Sequence, residues 1–161
     1  MSHKLEIRFK ASMTPSKYPP LIFVHGAAVG AWFFEHFQCF FSNHGYDSYA
    51  FSLRGHGSSY GHEYLDTYTL DDYVDDLKSV ILSIDKKPIV LGHSMGGAIL
   101  QKLIGQDSHL IKHAILLSSP PPYGIDESSK LGLFFSDARQ FLRAERKLYP
   151  NQTITFDDLI Q

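Results

Sequence analysis

Pro88-Ile89-Val90-Leu91-Gly92-His93-Ser94-Met95-Gly96-Gly97 is the stretch on which the reading of the fold turns. The three apolar residues after Pro88 form a short run of the kind buried on both faces of a parallel sheet. Ala98 to Ile104 then reads as helix, so a strand passes into a helix across a G-x-S-x-G sequence. So abrupt a turn holds its tip residue, Ser94, in a strained backbone conformation, and side chains two positions to either side would collide. Glycine at 92 and at 96 relieves that crowding. The tip hydroxyl is held clear of the fold, and the following helix aims its first N–H groups and its positive dipole end at the same spot. The plainer alternative makes Ser94 an ordinary helix N-cap.

Working outward, Leu21-Ile22-Phe23-Val24 is a second continuous apolar run, closed by His25-Gly26. Helical spacing of Phe33, Phe34, Phe37, Phe40 and Phe41 predicts a helix from Trp32 to His44, with Gly45 as its C′ glycine. Tyr46 to Leu53 returns to strand character and runs into the loop Arg54-Gly55-His56-Gly57-Ser58. Thr69 and Asp72 form a capping-box pattern, and Leu70, Tyr73, Val74, Leu77, Val80 and Ile81 follow at helical spacing. Ala114 to Leu117 is a further apolar strand, expected to be buried on both faces. Leu5 to Phe9 alternates apolar and charged residues, as an edge strand with one wet face does. Alternation of strand and helix is the signature of an α/β fold, a mostly parallel, doubly wound sheet with helices on both faces. If strands 46–53 and 88–91 flank strand 21–24, the chain reverses its winding between 21–24 and 88–91. Open parallel sheets bind ligands outside the carboxyl ends of their strands at such a point.

Acyl transfer develops a negative oxygen that needs two N–H donors. The Met95 N–H is one candidate, and the Ala27 N–H, in the small-residue loop His25-Gly26-Ala27-Ala28, is the other. Taken alone, a His-Gly pair is as readily a plain turn glycine.

His-Gly after one strand, Arg-Gly-His-Gly after the next and Gly-His-Ser-Met-Gly-Gly after a third together resemble the α/β-hydrolase family, in which they follow the third, fourth and fifth strands. The flavour is that of its lysophospholipase, monoacylglycerol-lipase and small-esterase members, and the likeness covers roughly residues 5 to 122. It implies that Ser94 is the nucleophile of a serine ester hydrolase, that Ala27 and Met95 supply the oxyanion hole, and that no metal or organic cofactor takes part. Residues 123–161 resemble the start of the helical lid inserted after the sixth strand, with 1–122 as the core. Leu131, Phe134, Phe135, Ala138, Phe141 and Leu142 predict an amphipathic helix there. A serine at 94 argues against the dehalogenase branch, which would carry Asp.

The family's order is Ser, then Asp or Glu, then His. After Ser94 only His109 and His113 remain, both near a helix-to-strand connection at the opposite end of the sheet. His93 should diverge from Ser94, and His25 and His56 suit the ordering of loop backbone. The catalytic base is therefore unassigned and expected to be absent from the chain, and Asp126 is the one candidate acid. The expected reading is the amino-terminal portion of a serine esterase, inactive as this short chain. The alternatives are a non-catalytic binding protein of the same fold and a truncated gene product.

Composition bounds the partners. Lys and Arg number 15 against 17 Asp and Glu, a net charge of -2, so no basic stripe points to nucleic acid. The single cysteine, Cys39, set among Phe37, Phe40 and Phe41, excludes an internal disulfide and reads as a packed thiol. The amino terminus has no apolar signal region, and no run approaches the ~20 apolar residues that span a bilayer, so the expected location is cytoplasmic. A small ester with an apolar acyl group is the expected substrate, with Trp32 and Phe33 as candidate contacts, although both serve equally as core residues. Self-association through an exposed edge at 114–117 is expected of the isolated chain.

Overall fold

Strand β4 (Ile89–His93) passes within one residue into helix α3 (Met95–Asp107) in a computed structural model, which describes residues 4–123. The remaining elements are β1 (Ile7–Lys10), β2 (Leu21–Val24), α1 (Glu35–Asn43), β3 (Ser48–Phe51), α2 (Leu70–Leu82) and β5 (His113–Leu117). Among the described residues the sheet order is β1-β3-β2-β4-β5. β1 runs antiparallel to β3 and the other pairs are parallel. β3 and β4 thus flank β2, and the reversal of winding lies between β2 and β4 as the apolar runs indicate.

Each face of the sheet has its own core. Ile22, Val24, Phe51 and Val90 pack with Tyr73, Val74, Leu77, Val80 and Ile81 of α2 and Ile99, Leu100 and Leu103 of α3. Leu21, Phe23, Ala50 and Leu91 pack on the other face with Ala31 and Phe34. The Phe23 and Phe34 rings stack there at 5.0 Å.

Local signals explain the helix ends. Thr69 and Asp72 close the capping box at the start of α2. At the end of α1, Gly45 has φ 85°, the Tyr46 N–H donates to Phe41 O at 3.0 Å and the Gly45 N–H to Ser42 O at 3.3 Å. These are the two bonds of a Schellman motif, completed by the Phe41–Tyr46 ring contact at 5.7 Å.

Three expectations need correction. Residues Ala31–Phe34 form a 3-10 turn, so the α-helix expected from Trp32 starts only at Glu35. A short 3-10 segment, His62–Thr67, stands where no element was expected. β1 lacks the one dry face expected: Leu5 packs on the α2-side core, but Ile7 and Phe9 are 45% and 55% exposed, and Glu6 on the charged face is half-buried. Glu6 is drawn in by donors on β3's end and the loop after it, Ser52 and Ser58. β5, an apolar strand of the kind buried on both faces, is exposed at all five residues, the exposed edge expected at 114–117 of this chain. It is the last strand of the described sheet, with no neighbour beyond β4. Asp126 and the expected helices after it lie outside the described residues.

Candidate active site

Ser94 sits at φ 52°, ψ −119°, between the end of β4 and the first residue of α3. It occupies the N-cap position, yet its side chain makes no cap hydrogen bond. N-cap residues ordinarily have extended backbone, so capping does not account for a serine here. Its backbone N–H donates to Leu117 O at 3.0 Å, and its carbonyl accepts from the Gly97 N–H at 2.8 Å. The neighbours have no room for side chains: a Cβ on Gly92 would meet Gly96 O at 2.4 Å, and one on Gly96 would meet Val24 O at 2.2 Å. The Met95 N–H belongs to the first helical turn, whose N–H groups have no intrahelical partner.

The loop after β2 reaches this point. A Cβ on Gly26 would lie 3.1 Å from Ser94 Cβ and 3.3 Å from His93 Nδ1, so only glycine lets the loop backbone rest on the elbow. Ala27 is exposed just beyond it, and Ala28 turns the chain at φ 65°. Among the described residues the non-glycine positions with positive φ are Ala28, Ser94 and Ser118. All three follow the carboxyl ends of parallel strands, and backbone strain of this kind gathers at functional sites. Phe33 stacks on the His93 ring at 5.0 Å, which places it beside the elbow, with Trp32 edge-on to it at 6.4 Å.

The histidines divide by their contacts. His25 is fully buried, and its Nε2 accepts the Leu53 N–H at 2.9 Å while its Nδ1 donates to Gly26 O at 2.7 Å. Burial first, then the neighbouring His56, push its pKa down to about 3. His56 Nδ1 lies 3.1 Å from Arg54 O. His93 Nδ1 is buried without a hydrogen-bond partner, and burial lowers its pKa. His113 opens β5 opposite Ile89, a full strand length from the elbow, and His109 follows the far end of α3.

Two polar clusters that the sequence reading did not single out hold the loop after β3. Arg54 donates from its backbone N–H to Asp76 Oδ2 at 2.8 Å and from Nε to Asp76 Oδ1 at 2.9 Å, and it pairs with Asp72 at 2.8 Å. Asp76 is 3% exposed. Its spacing from Tyr73 and Val80 put it on the apolar stripe of α2, a signal that could have marked it as paired. Glu6 Oε2 accepts from the Ser52 hydroxyl at 2.7 Å and the Ser58 N–H at 2.9 Å, while Ser52 Oγ accepts the Ala31 N–H at 2.9 Å. Burial raises the Glu6 pKa, but the bonds from Ser58, Ser52 and Arg8 outweigh it and leave the carboxyl below its usual range. Nothing in the local pattern of β1 announces that role.

Two expected results follow. Asp76→Ala leaves the Arg54 guanidinium partly buried with one partner fewer, so urea unfolding should show a loss of about 3–5 kcal/mol; a loss below about 1 kcal/mol would contradict it. His25 binds no proton in the folded state until about pH 3, whereas the unfolded chain binds one below about 6.5. Stability should therefore fall as pH drops from 7 to 5, by up to about 1.4 kcal/mol per unit below 6.5, and His25→Asn should flatten that slope. An unchanged slope in the variant would remove His25 as its source.

Comparison with known proteins agrees with this fold. The profile of the family described as alpha/beta hydrolase fold matches residues 19–155. A non-heme chloroperoxidase of Streptomyces lividans is 29% identical over 137 residues, covering 79% of this chain and 48% of that protein. Protein phosphatase methylesterase 1 of Candida albicans is 31% identical over 123 residues, 71% of this chain and 33% of its own length. A solved structure titled marine microorganism esterase superposes with a TM-score of 0.74 at 21% identity, over 89% of this chain and 52% of that one. The chain thus spans about half the length, or less, of the curated relatives named here. Among the described residues, no group of three His, Cys, Asp or Glu could hold a metal ion, and no helix is long and apolar enough to cross a membrane.

Proposed function

The chain belongs to the α/β-hydrolase fold family, and on that premise we propose that it carries the nucleophile half of a serine ester hydrolase, with Ser94 forming the acyl-enzyme. The observation that supports this most is the uncapped Ser94 at φ 52°, with Gly26 close enough to touch it. In the proposed reaction a base takes the Ser94 proton and Oγ attacks the ester carbonyl. The N–H groups of Met95 and Ala27 receive the developing oxyanion, the alcohol leaves with the proton, and water releases the acid. The substrate is a small ester whose apolar acyl group lies against Phe33 and Trp32.

The base comes from outside this chain. His25 and His56 are committed to backbone, His109 and His113 stand at the wrong end of the sheet, and no histidine follows His113. Asp126 is kept as the candidate acid. Left without its base, such a site retains only binding and the oxyanion hole, on the order of 10³–10⁴ over water. Residues 1–161 should therefore hydrolyse a p-nitrophenyl ester near background, and the apolar outer strand β5 should favour self-association. A monomer with Ser94-dependent turnover above about 1 s⁻¹, an ordinary enzyme rate, would overturn the assignment of the base. His25, His56 and His93 would then be the first to mutate. The same inventory of histidines favours a second reading, a non-catalytic binding protein of this fold. Reading the coding sequence downstream of Gln161 separates the two, since the hydrolase reading requires a later strand that ends in histidine.

A further inference from the structure

The loop after β2 carries Ala27, and both of its ends are tied to neighbouring residues just past β3. At its start, the Leu53 N–H donates to His25 Nε2 at 2.9 Å. At its far end, the Ala31 N–H donates to Ser52 Oγ at 2.9 Å, and both residues are fully buried. The Ser52 hydroxyl donates in turn to Glu6 Oε2 at 2.7 Å. The same oxygen accepts the Ser58 N–H at 2.9 Å, and Arg8 Nε donates to the other carboxylate oxygen at 2.9 Å. Packing leaves little slack around these bonds. A Cβ on Gly30 would lie 2.9 Å from Ser52 Oγ, and one on Gly57, which has φ 52°, would run into both Ser52 Oγ and Glu6 Oε2.

We infer that Glu6 and Ser52 are positioning residues for the oxyanion loop: the bonds from Glu6 through Ser52 to Ala31 fix where the Ala27 N–H points. This role rests on the proposed hydrolase reading. The direction of the bonds follows from counting donors. An ionised carboxylate only accepts, and a hydroxyl has a single proton. The donors around Glu6 hold its carboxyl below the usual range, so it is ionised at neutral pH. Ser52 must therefore aim its proton at Glu6 and turn a lone pair to the Ala31 N–H. Ala31 is fully buried, so without that hydroxyl its N–H would have to shift to find another acceptor, and the loop would shift with it. Ala27 lies between the two anchors, His25 and Ala31. A misplacement of about 1 Å in such a group is enough to cost on the order of 10²-fold in rate. Glu6 touches neither Ser94 nor the substrate in this account and acts only through the loop.

Two measurements test it. In the 161-residue chain, hydrogen–deuterium exchange of peptides spanning 25–34 should quicken by about tenfold in Ser52→Ala, while α2 exchanges as in the parent. Unchanged uptake across 25–34 would overturn the proposal whatever the catalytic result. In the extended protein, Ser52→Ala should lower kcat by about tenfold or more with KM nearly unchanged, since oxyanion donors act on the transition state. Glu6→Ala should behave alike, and Glu6→Gln, whose amide oxygen still accepts from Ser52, should recover most of the loss. Added to Ala27→Pro, Ser52→Ala should cost less than about twofold more, because the donor it positions is already gone. A variant that only weakens the fold would cost its full factor in either background. Full additivity, or a Ser52→Ala kcat within about twofold of the parent, would overturn the proposal. A parent that turns over no ester through Ser94 would instead overturn the hydrolase reading, and the positioning role with it.

Discussion

In a form of the protein extended to include the base, Ser94→Ala is expected to lower kcat for a short ester by on the order of 10⁴-fold or more, while the unfolding midpoint stays near that of the parent. The size follows from what the substitution removes. Without Oγ there is no acyl-enzyme, and only binding and the oxyanion donors still act on the substrate. The fold should tolerate the change, because Ser94 makes no side-chain cap bond that alanine would lose. Alanine also keeps the Cβ that already fits against Gly26, 3.1 Å from the position a Cβ on that glycine would occupy. A drop of less than about tenfold in a well-folded variant would leave Ser94 outside the chemistry.

The oxyanion assignment carries the next largest effect. Ala27→Pro deletes one N–H without adding charge, so kcat should fall by about 10²-fold or more. Ala27→Gly keeps the N–H and should be far milder. Ala27 is exposed and contributes little to packing, so neither change should unfold the domain. The pair separates the donor from the loop's shape, since glycine perturbs conformation and proline removes the proton. Equal losses from both variants, with normal folding, would place the second donor elsewhere.

The parts of this fold legible in the sequence are those set by short-range physics. Continuous apolar runs at 21–24 and 88–91 marked strands covered on both faces, and β2 and β4 lie at the centre of the sheet. Thr69 with Asp72 marked the start of α2, and Gly45 the end of α1, because each supplies a particular bond or a positive φ. The glycines around Ser94 were legible for the same reason, since the close approaches they permit are steric. What failed depended on partners distant in the chain. Glu6 turns inward because Ser52 and Ser58 meet it across about 50 residues, and a two-residue alternation carries no word of them. Asp76 is buried only because Arg54, brought over by the loop after β3, neutralises it.

Covalent labelling of the extended protein with a fluorophosphonate probe, followed by peptide mapping of the adduct, tests the central claim most directly. The account predicts a single stoichiometric adduct on Ser94 that disappears in Ser94→Ala while urea unfolding remains cooperative. An adduct on any other residue, or labelling that persists in the variant, would contradict it.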